Sequence, residues 1–202
     1  ESFKQAIRID PDDAYAHSSL GAAYHGSGKY KEAIESCKQA LRINPDYALA
    51  HINIGFPYHA LGKHEEAMKS LKQVLRIDPD DRDTHYNLGY IYYELDKYKE
   101  AIESYKQAIR LDPDYAYAHY GLGLAYHGSG KYKEAIKSLK QALRIDPDFA
   151  YAHYGLGLAY CELGKYKKAI KSYKQAIRID PDDAWPHINL GIAYDELGKY
   201  KE

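Results

Sequence analysis

Residues 116–149 read AYAHYGLGLAYHGSGKYKEAIKSLKQALRIDPDF, and residues 150–183 repeat this stretch with differences at seven of its 34 positions. The prolines that follow an acidic or asparagine residue keep the same interval along the whole chain: Pro11, Pro45, Pro79, Pro113, Pro147 and Pro181. A fixed period of this length is typical of repeat architectures, in which each unit packs against its neighbours. We therefore expect one array over residues 1–202, with a partial unit at 1–13, full units at 14–47, 48–81, 82–115, 116–149 and 150–183, and a partial unit at 184–202.

Each unit carries two helical periodicities on either side of a glycine-rich turn. The apolar positions recur at intervals of three and four, which is the period of an amphipathic helix: His119, Leu122, Gly123 and Tyr126, then Ala135, Leu139, Ala142 and Leu143. The first helix should begin after the Asp-Pro-Asp turn, where residues such as Asp148 can cap it. It should end at a glycine in the left-handed conformation. The GSGK stretch is therefore a hairpin turn, and it is no P-loop because Tyr132 stands where magnesium binding needs Ser or Thr.

The stretches AYAHYGLGLAY, GKYKEA and KQALRIDPD of residues 116–149 together resemble the tetratricopeptide repeat, a 34-residue helix-turn-helix unit. The resemblance extends over all 202 residues. It implies an all-α fold, an α-solenoid of antiparallel helix pairs that forms a right-handed superhelix with the first helices lining a concave groove. Counting the first residue of each full unit as position 1, position 4 is histidine in every unit, where the family often has tryptophan.

Charge and cysteine usage exclude several classes of function. With 28 basic and 29 acidic residues, the net charge of -1 predicts neither a nucleic-acid partner nor a membrane partner. No run approaches the roughly 18 apolar residues of a membrane span, and no signal peptide is recognisable, so we expect a cytoplasmic protein. Cys37 and Cys161 fall at different repeat positions, and we expect no disulfide, which fits a reducing compartment.

Catalytic, cofactor and metal sites are not predicted. Six of the ten histidines occupy position 4, where we expect the ring to pack against the neighbouring repeat, and none shows the spacing of the H-E-x-x-H zinc motif. Serines such as Ser138 recur on helix surfaces, and most acidic residues lie in the Asp-Pro turns. We therefore expect a non-enzymatic protein without a bound cofactor.

The family geometry places positions 2, 5, 6, 9, 12 and 13 of each first helix on the concave surface. These positions are rich in tyrosine, a residue that is enriched at binding hot spots, although duplication of the unit would also copy its tyrosines. The sequence predicts a protein-interaction scaffold that binds peptide segments in this groove, through Asn53, Phe56, Tyr86, Asn87, Tyr90, Tyr117, Tyr120, Leu124, Tyr151, Tyr154, Leu158 and Asn189.

The asparagines at position 6 resemble the asparagine ladder in the repeat arm of O-GlcNAc transferases. Gly121 and Gly155 interrupt that ladder in the middle of the chain. The groove positions hold no Lys or Arg of the kind that the carboxylate clamp of chaperone-binding relatives uses, so an acidic C-terminal tail is a disfavoured ligand for the groove.

Two alternatives to groove binding stay open, a self-assembling architectural protein and the substrate-recognition arm of a larger enzyme. Self-assembly would join molecules head to tail through end-to-end contacts of Phe3, Ala6 and Ile7 with Leu190, Ala193 and Tyr194. A basic stripe on the second helices, formed by Lys133, Lys137, Lys140 and Arg144, could hold an anion, although a solvated helix face is its ordinary interpretation.

Overall fold

The computed structural model describes residues 1–199, so residues 200–202 of the last predicted partial unit lie outside the described part. The chain divides into two compact units, Glu1–Ile91 and Tyr92–Glu202. The first unit holds α1 (Ser2–Ile9), α2 (Ala14–Gly26), α3 (Tyr30–Ile43), α4 (Ala48–Ala60), α5 (His64–Ile77) and most of α6 (Arg82–Glu94). The second unit holds α7 (Tyr98–Leu111), α8 (Ala116–Gly128), α9 (Tyr132–Ile145), α10 (Ala150–Glu162), α11 (Tyr166–Ile179) and α12 (Ala184–Lys199).

Helix hairpins build both units. In the first unit α2 packs on α3 and α4 on α5, and in the second α8 packs on α9 and α10 on α11. Residues 1–199 contain no strand. The predicted all-α fold of antiparallel helix pairs is therefore confirmed. No helix in residues 1–199 combines the length and the apolar character that a bilayer crossing requires.

The turns inside the hairpins need a residue with positive φ. Gly28, Gly62, Gly130 and Gly164 have φ between 66° and 74°, which confirms the predicted left-handed glycine. Asp96 occupies the same place in its unit with φ of 56°. A non-glycine residue in this region carries a steric penalty, and the Tyr98 hydroxyl donates a hydrogen bond to the Asp96 carboxylate.

The helix starts differ from the sequence-based expectation. The residue before α10 is Phe149, which makes no side-chain capping bond, and the Asp148 side chain does not cap the helix. Instead, the Asp146 carboxylate accepts a bond from the Asp148 backbone N–H at 3.1 Å, which closes the Asp-Pro turn itself. Side-chain capping occurs where a fourth residue of the turn is acidic, as when Asp13 accepts from the Ala16 N–H at 3.0 Å.

Position 8 glycines bring the paired helices close together. A Cβ added at Gly157 would lie 2.3 Å from the Tyr173 ring, and one added at Gly123 would lie 2.6 Å from the Leu139 side chain. Both contacts are with position 24 of the same hairpin. At these two glycines the missing side chain makes room for a large side chain at position 24, which offsets the low helix propensity of glycine.

Candidate functional site

The predicted groove residues lie on first helices and differ in exposure. Position 2 carries exposed aromatic rings in both units, with Tyr117 and Tyr151 more than half exposed at 57% and 55%. At position 9, Phe56 and Tyr90 are exposed at 40% and 42%, whereas the two leucines of the second unit, Leu124 and Leu158, are half-buried. Exposed aromatic and aliphatic groups on a helix face are candidates for an interaction surface.

An apolar cavity of about 260 Å³ opens between α4 and α6 in the first unit. Its wall combines four predicted groove residues with side chains from the helices beneath them: Gly55, Phe56, His59, Leu71, Tyr86, Asn87, Tyr90 and Ile91. Helix α5 contributes Leu71, which is 2% exposed. We call this the α4–α6 cavity.

Ring contacts hold the rim of the α4–α6 cavity in place. The His59 ring meets Tyr90 edge-on with centroids 5.5 Å apart, and its Nδ1 lies 3.1 Å from Nδ1 of His64, so one of these nitrogens donates to the other. Phe56 lies against the ring of His25 at 6.0 Å. Rings that neighbours already fix lose little conformational freedom when a ligand binds.

In the second unit three tyrosines, two exposed and one half-buried, share one buried partner. The Phe149 ring, 8% exposed, lies 5.0 Å from those of Tyr117 and Tyr120 and 6.5 Å from that of Tyr151. These four rings form what we call the Phe149 cluster. Phe149 was not predicted as a site residue because position 34 belongs to the turn. The sequence feature that could have indicated it is the aromatic residue at this position in three repeats.

The position 5 tyrosines have internal roles. Tyr120 and Tyr154 are half-buried, and the Tyr154 ring lies 6.0 Å from that of Tyr173. The Asn189 side-chain amide donates to the Tyr154 hydroxyl at 3.1 Å. Burial, reinforced by the charge of Asp183, raises the pKa of Tyr154 despite that bond. Substitution at these tyrosines would therefore disturb packing as well as any binding.

The position 6 asparagines use their amide hydrogens within the chain. Besides the Tyr154 bond, Asn189 donates to the Trp185 carbonyl at 3.0 Å. Asn53 donates to the Ser18 hydroxyl at 3.0 Å. Both side chains thus tie one repeat to the repeat before it, while Asn87 lines the α4–α6 cavity.

The two glycines that interrupt the asparagine series have close neighbours from the preceding repeat. A Cβ at Gly121 would lie 2.5 Å from the Tyr105 ring, and one at Gly155 would lie 3.3 Å from the Leu139 side chain. Both neighbours occupy position 24 of the preceding repeat. At these two sites a position 6 side chain would need its neighbour to move, whereas Asn87 and Asn189 are accommodated after Leu71 and Tyr173 at the same position.

The position 4 histidines close the Asp-Pro turns. In every unit the histidine Nε2 donates a hydrogen bond to the carbonyl of the proline six residues earlier, at 2.8–3.1 Å. From the sequence we predicted only that these rings pack against the neighbouring repeat, and the hydrogen bond was missed. The constant six-residue spacing between proline and histidine is the signal in the sequence that could have indicated it. Across residues 1–199, no three His, Cys, Asp or Glu side chains cluster in a way that could hold a metal ion.

The predicted end-to-end residues differ in accessibility. On α1, Phe3, Ala6 and Ile7 are half-buried. On α12, Leu190 is half-buried and packs on the core of the second unit. Ala193 is fully buried in that core, and Tyr194 is exposed at 46% with the Lys174 ammonium 5.5 Å from its ring.

Comparison with known proteins identifies relatives of this fold. The tetratricopeptide repeat profile matches residues 14–47, and the TPR repeat profile matches residues 57–96, 89–130, 128–164 and 157–198. A crystal structure of MamA is 30% identical, with a TM-score of 0.74 over 80% of this chain and 95% of that one. YrrB, a TPR protein with an unusual peptide-binding site, is 24% identical, with a TM-score of 0.74 over 92% and 96%. MamA of Desulfovibrio magneticus is 22% identical, with a TM-score of 0.77 over 85% and 97%. No curated protein sequence matches the chain.

Proposed function

The chain belongs to the tetratricopeptide repeat family of protein-interaction scaffolds, and from this premise we propose that it binds extended peptide segments on the exposed aromatic face of its first helices. The observation that carries the proposal is the α4–α6 cavity, because four residues predicted from the sequence to contact a ligand line one apolar recess. The family is generally non-catalytic, and the proposed role is binding alone.

The size of the cavity indicates what it would accept. Pockets for drug-sized molecules span about 300–1,000 Å³, so a recess of about 260 Å³ suits one large side chain of a peptide. An aliphatic or aromatic residue would fill it, and such anchors in desolvated pockets dominate binding energy. The amide of Asn87 on the wall offers a donor and an acceptor for the peptide backbone beside the anchor.

The Phe149 cluster gives the second unit a comparable surface of its own. Tyr117 and Tyr151 present exposed rings whose edges rest on a buried phenylalanine. Tyrosine combines contact area with a hydroxyl at low entropic cost. YrrB supports the proposal only to the extent that the same fold can carry a peptide-binding site.

The test is selection of peptides from a random 12-residue library, followed by affinity measurement with single-site variants. Phe56→Ala and Tyr90→Ala should each weaken the selected peptides by about 2 kcal/mol, and helicity should not change. Ile77→Ala is the matched control, because Ile77 is equally exposed at 42% but lies at the end of a second helix. Unchanged affinity of every selected peptide for both cavity variants would contradict the proposal.

A second candidate function is self-association through the two terminal helices. It is favoured by the half-buried Phe3 and Ile7 on α1, which packs on α2, and by the exposed Tyr194 on α12. Since Ala193 faces the core, the contact would use Leu190 and Tyr194. Joining unlike faces would extend into a filament unless the rotation closes a ring.

A further inference from the structure

The second helices of the second unit form a groove whose charge differs from that of its counterparts. A cavity of about 360 Å³ lies between α9 and α11, over α10. Of the residues that line it in the described part of the chain, three are lysines, Lys140, Lys168 and Lys171, and none is acidic. Its wall also contains Ser172 and Gln175, whose side chains can donate hydrogen bonds. We call this the α9–α11 groove.

The corresponding grooves of the first unit are mixed in charge. The groove between α1 and α3 combines Lys4 and Arg8 with Glu35. The groove between α3 and α5 combines Lys38 and Lys69 with Asp46 and Glu66. Like-charge lysines repel one another when nothing neutralises them, so a purely basic lining is not what stability alone would favour.

Two positions contribute to the difference: position 22 is Lys171 here and Glu35 in the α1–α3 groove, and position 19 is Lys168 here and Glu66 in the α3–α5 groove. Position 19 is glutamate in the four preceding units, at Glu32, Glu66, Glu100 and Glu134, and it is lysine only at Lys168. The nearby carboxylate of Asp148 lies 3.9 Å from the Arg178 guanidinium, so it already has a cationic partner. The α9–α11 groove therefore presents positive charge that acidic side chains balance elsewhere.

We propose that the α9–α11 groove binds an acidic peptide segment of a partner protein, with Lys140, Lys168 and Lys171 contacting its carboxylates. The occupant is a peptide because the groove offers no open aromatic platform for stacking bases, which single-stranded nucleic acid uses. Tyr160 is 7% exposed, and the Lys168 ammonium lies 5.8 Å from its ring. The net charge of -1 also provides little general attraction for a polyanion, so the attraction is local.

This site is separate from the aromatic first-helix face, and its test is independent of the proposed function. The probe is a fluorescein-labelled dodecaglutamate peptide, measured by fluorescence anisotropy in 50 mM salt. Lys168→Glu should weaken binding about tenfold or more, because one attraction becomes a repulsion. The variant should fold normally, since glutamate occupies this position in the other units, and circular dichroism checks this.

The matched control is Lys99→Glu, which makes the same charge change on α7. Lys99 belongs to the same compact unit of the fold as Lys168 but lies outside the α9–α11 groove. The affinity of this variant should stay within about twofold of the parent, and parent affinity should fall about tenfold between 50 and 200 mM salt. Three results would overturn the proposal: no binding by the parent, equal weakening by both variants, or tighter binding of a dodecauridylate RNA that Lys168→Glu abolishes.

Discussion

Gly55 is a position 8 glycine whose neighbour at position 24 leaves room for a methyl group. A Cβ added there would lie 3.5 Å from the Leu71 side chain, an ordinary van der Waals distance. At Gly157 the added Cβ would lie 2.3 Å from the Tyr173 ring, which is buried and cannot easily move. The two sites are equivalent in sequence, so alanine substitution at both isolates the effect of the neighbour at position 24.

Two contributions determine how each substitution changes the free energy of unfolding. Replacing glycine by alanine inside a helix stabilises by about 1 kcal/mol, and this gain is common to both sites. Overpacking a well-filled core costs about 1–3 kcal/mol, and only Gly157→Ala incurs it. Gly55→Ala should therefore raise the free energy of unfolding by about 1 kcal/mol, and the two variants should differ by about 1–3 kcal/mol.

The assay is urea denaturation followed by circular dichroism, with midpoints compared at equal slope because repeat arrays can unfold in stages. Gly191→Ala serves as a second control, since nothing lies within 4 Å of an added Cβ there. Gly55→Ala should also weaken peptides selected against the α4–α6 cavity, because the methyl group enters its wall. Equal destabilisation by Gly55→Ala and Gly157→Ala would refute the assignment of position 8 to neighbour packing.

Three further outcomes are expected. Asp96→Gly should raise the thermal midpoint, because glycine adopts positive φ without steric cost. The relief of backbone strain stabilises by about 1 kcal/mol, and loss of the hydrogen bond from Tyr98 offsets part of this gain. A lower midpoint would contradict this prediction. A thiol reagent at pH 8 should modify native Cys161 before Cys37, because burial raises the pKa of the Cys37 thiol to about 12, and equal rates in the folded protein would count against it. Sedimentation velocity should show concentration-dependent association that Tyr194→Lys reduces, whereas a parent that stays monomeric at the highest concentration would remove the stacking hypothesis.

The repeat period was sufficient to predict the helices and the turns. The 34-residue spacing and the glycine before the lysine of most repeats indicated where hairpins turn, because few residues adopt a left-handed conformation. Helix starts were less predictable. Asp146 and Asp148 stand two residues apart in one turn, and only coordinates show that the first closes the turn while Phe149 precedes the helix.

The sequence predicted which helix faces are exposed at the candidate site, but not which side chains contact one another there. Exposure of Tyr117 and Tyr151 follows from the helical period, since position 2 lies away from the core stripe. The bond that Tyr154 accepts from Asn189 depends on the following repeat, which sequence spacing within one repeat cannot show. The α4–α6 cavity was likewise invisible, because it is a volume left between side chains of three helices.

Differences between near-identical repeats are the informative part of this chain. Positions that stay constant, such as the histidine and proline of each turn, perform the same structural task in every unit. Position 24 changes between repeats, and its side chain contacts the next repeat: Tyr105 occupies the space at Gly121, and Leu71 lines the recess beside Asn87. Position 19 changes once, at Lys168, and together with Lys171 it makes the lining of the α9–α11 groove basic. A duplicated array thus acquires a distinct surface charge by substitution at an exposed position such as Lys168, which changes no buried contact of the core.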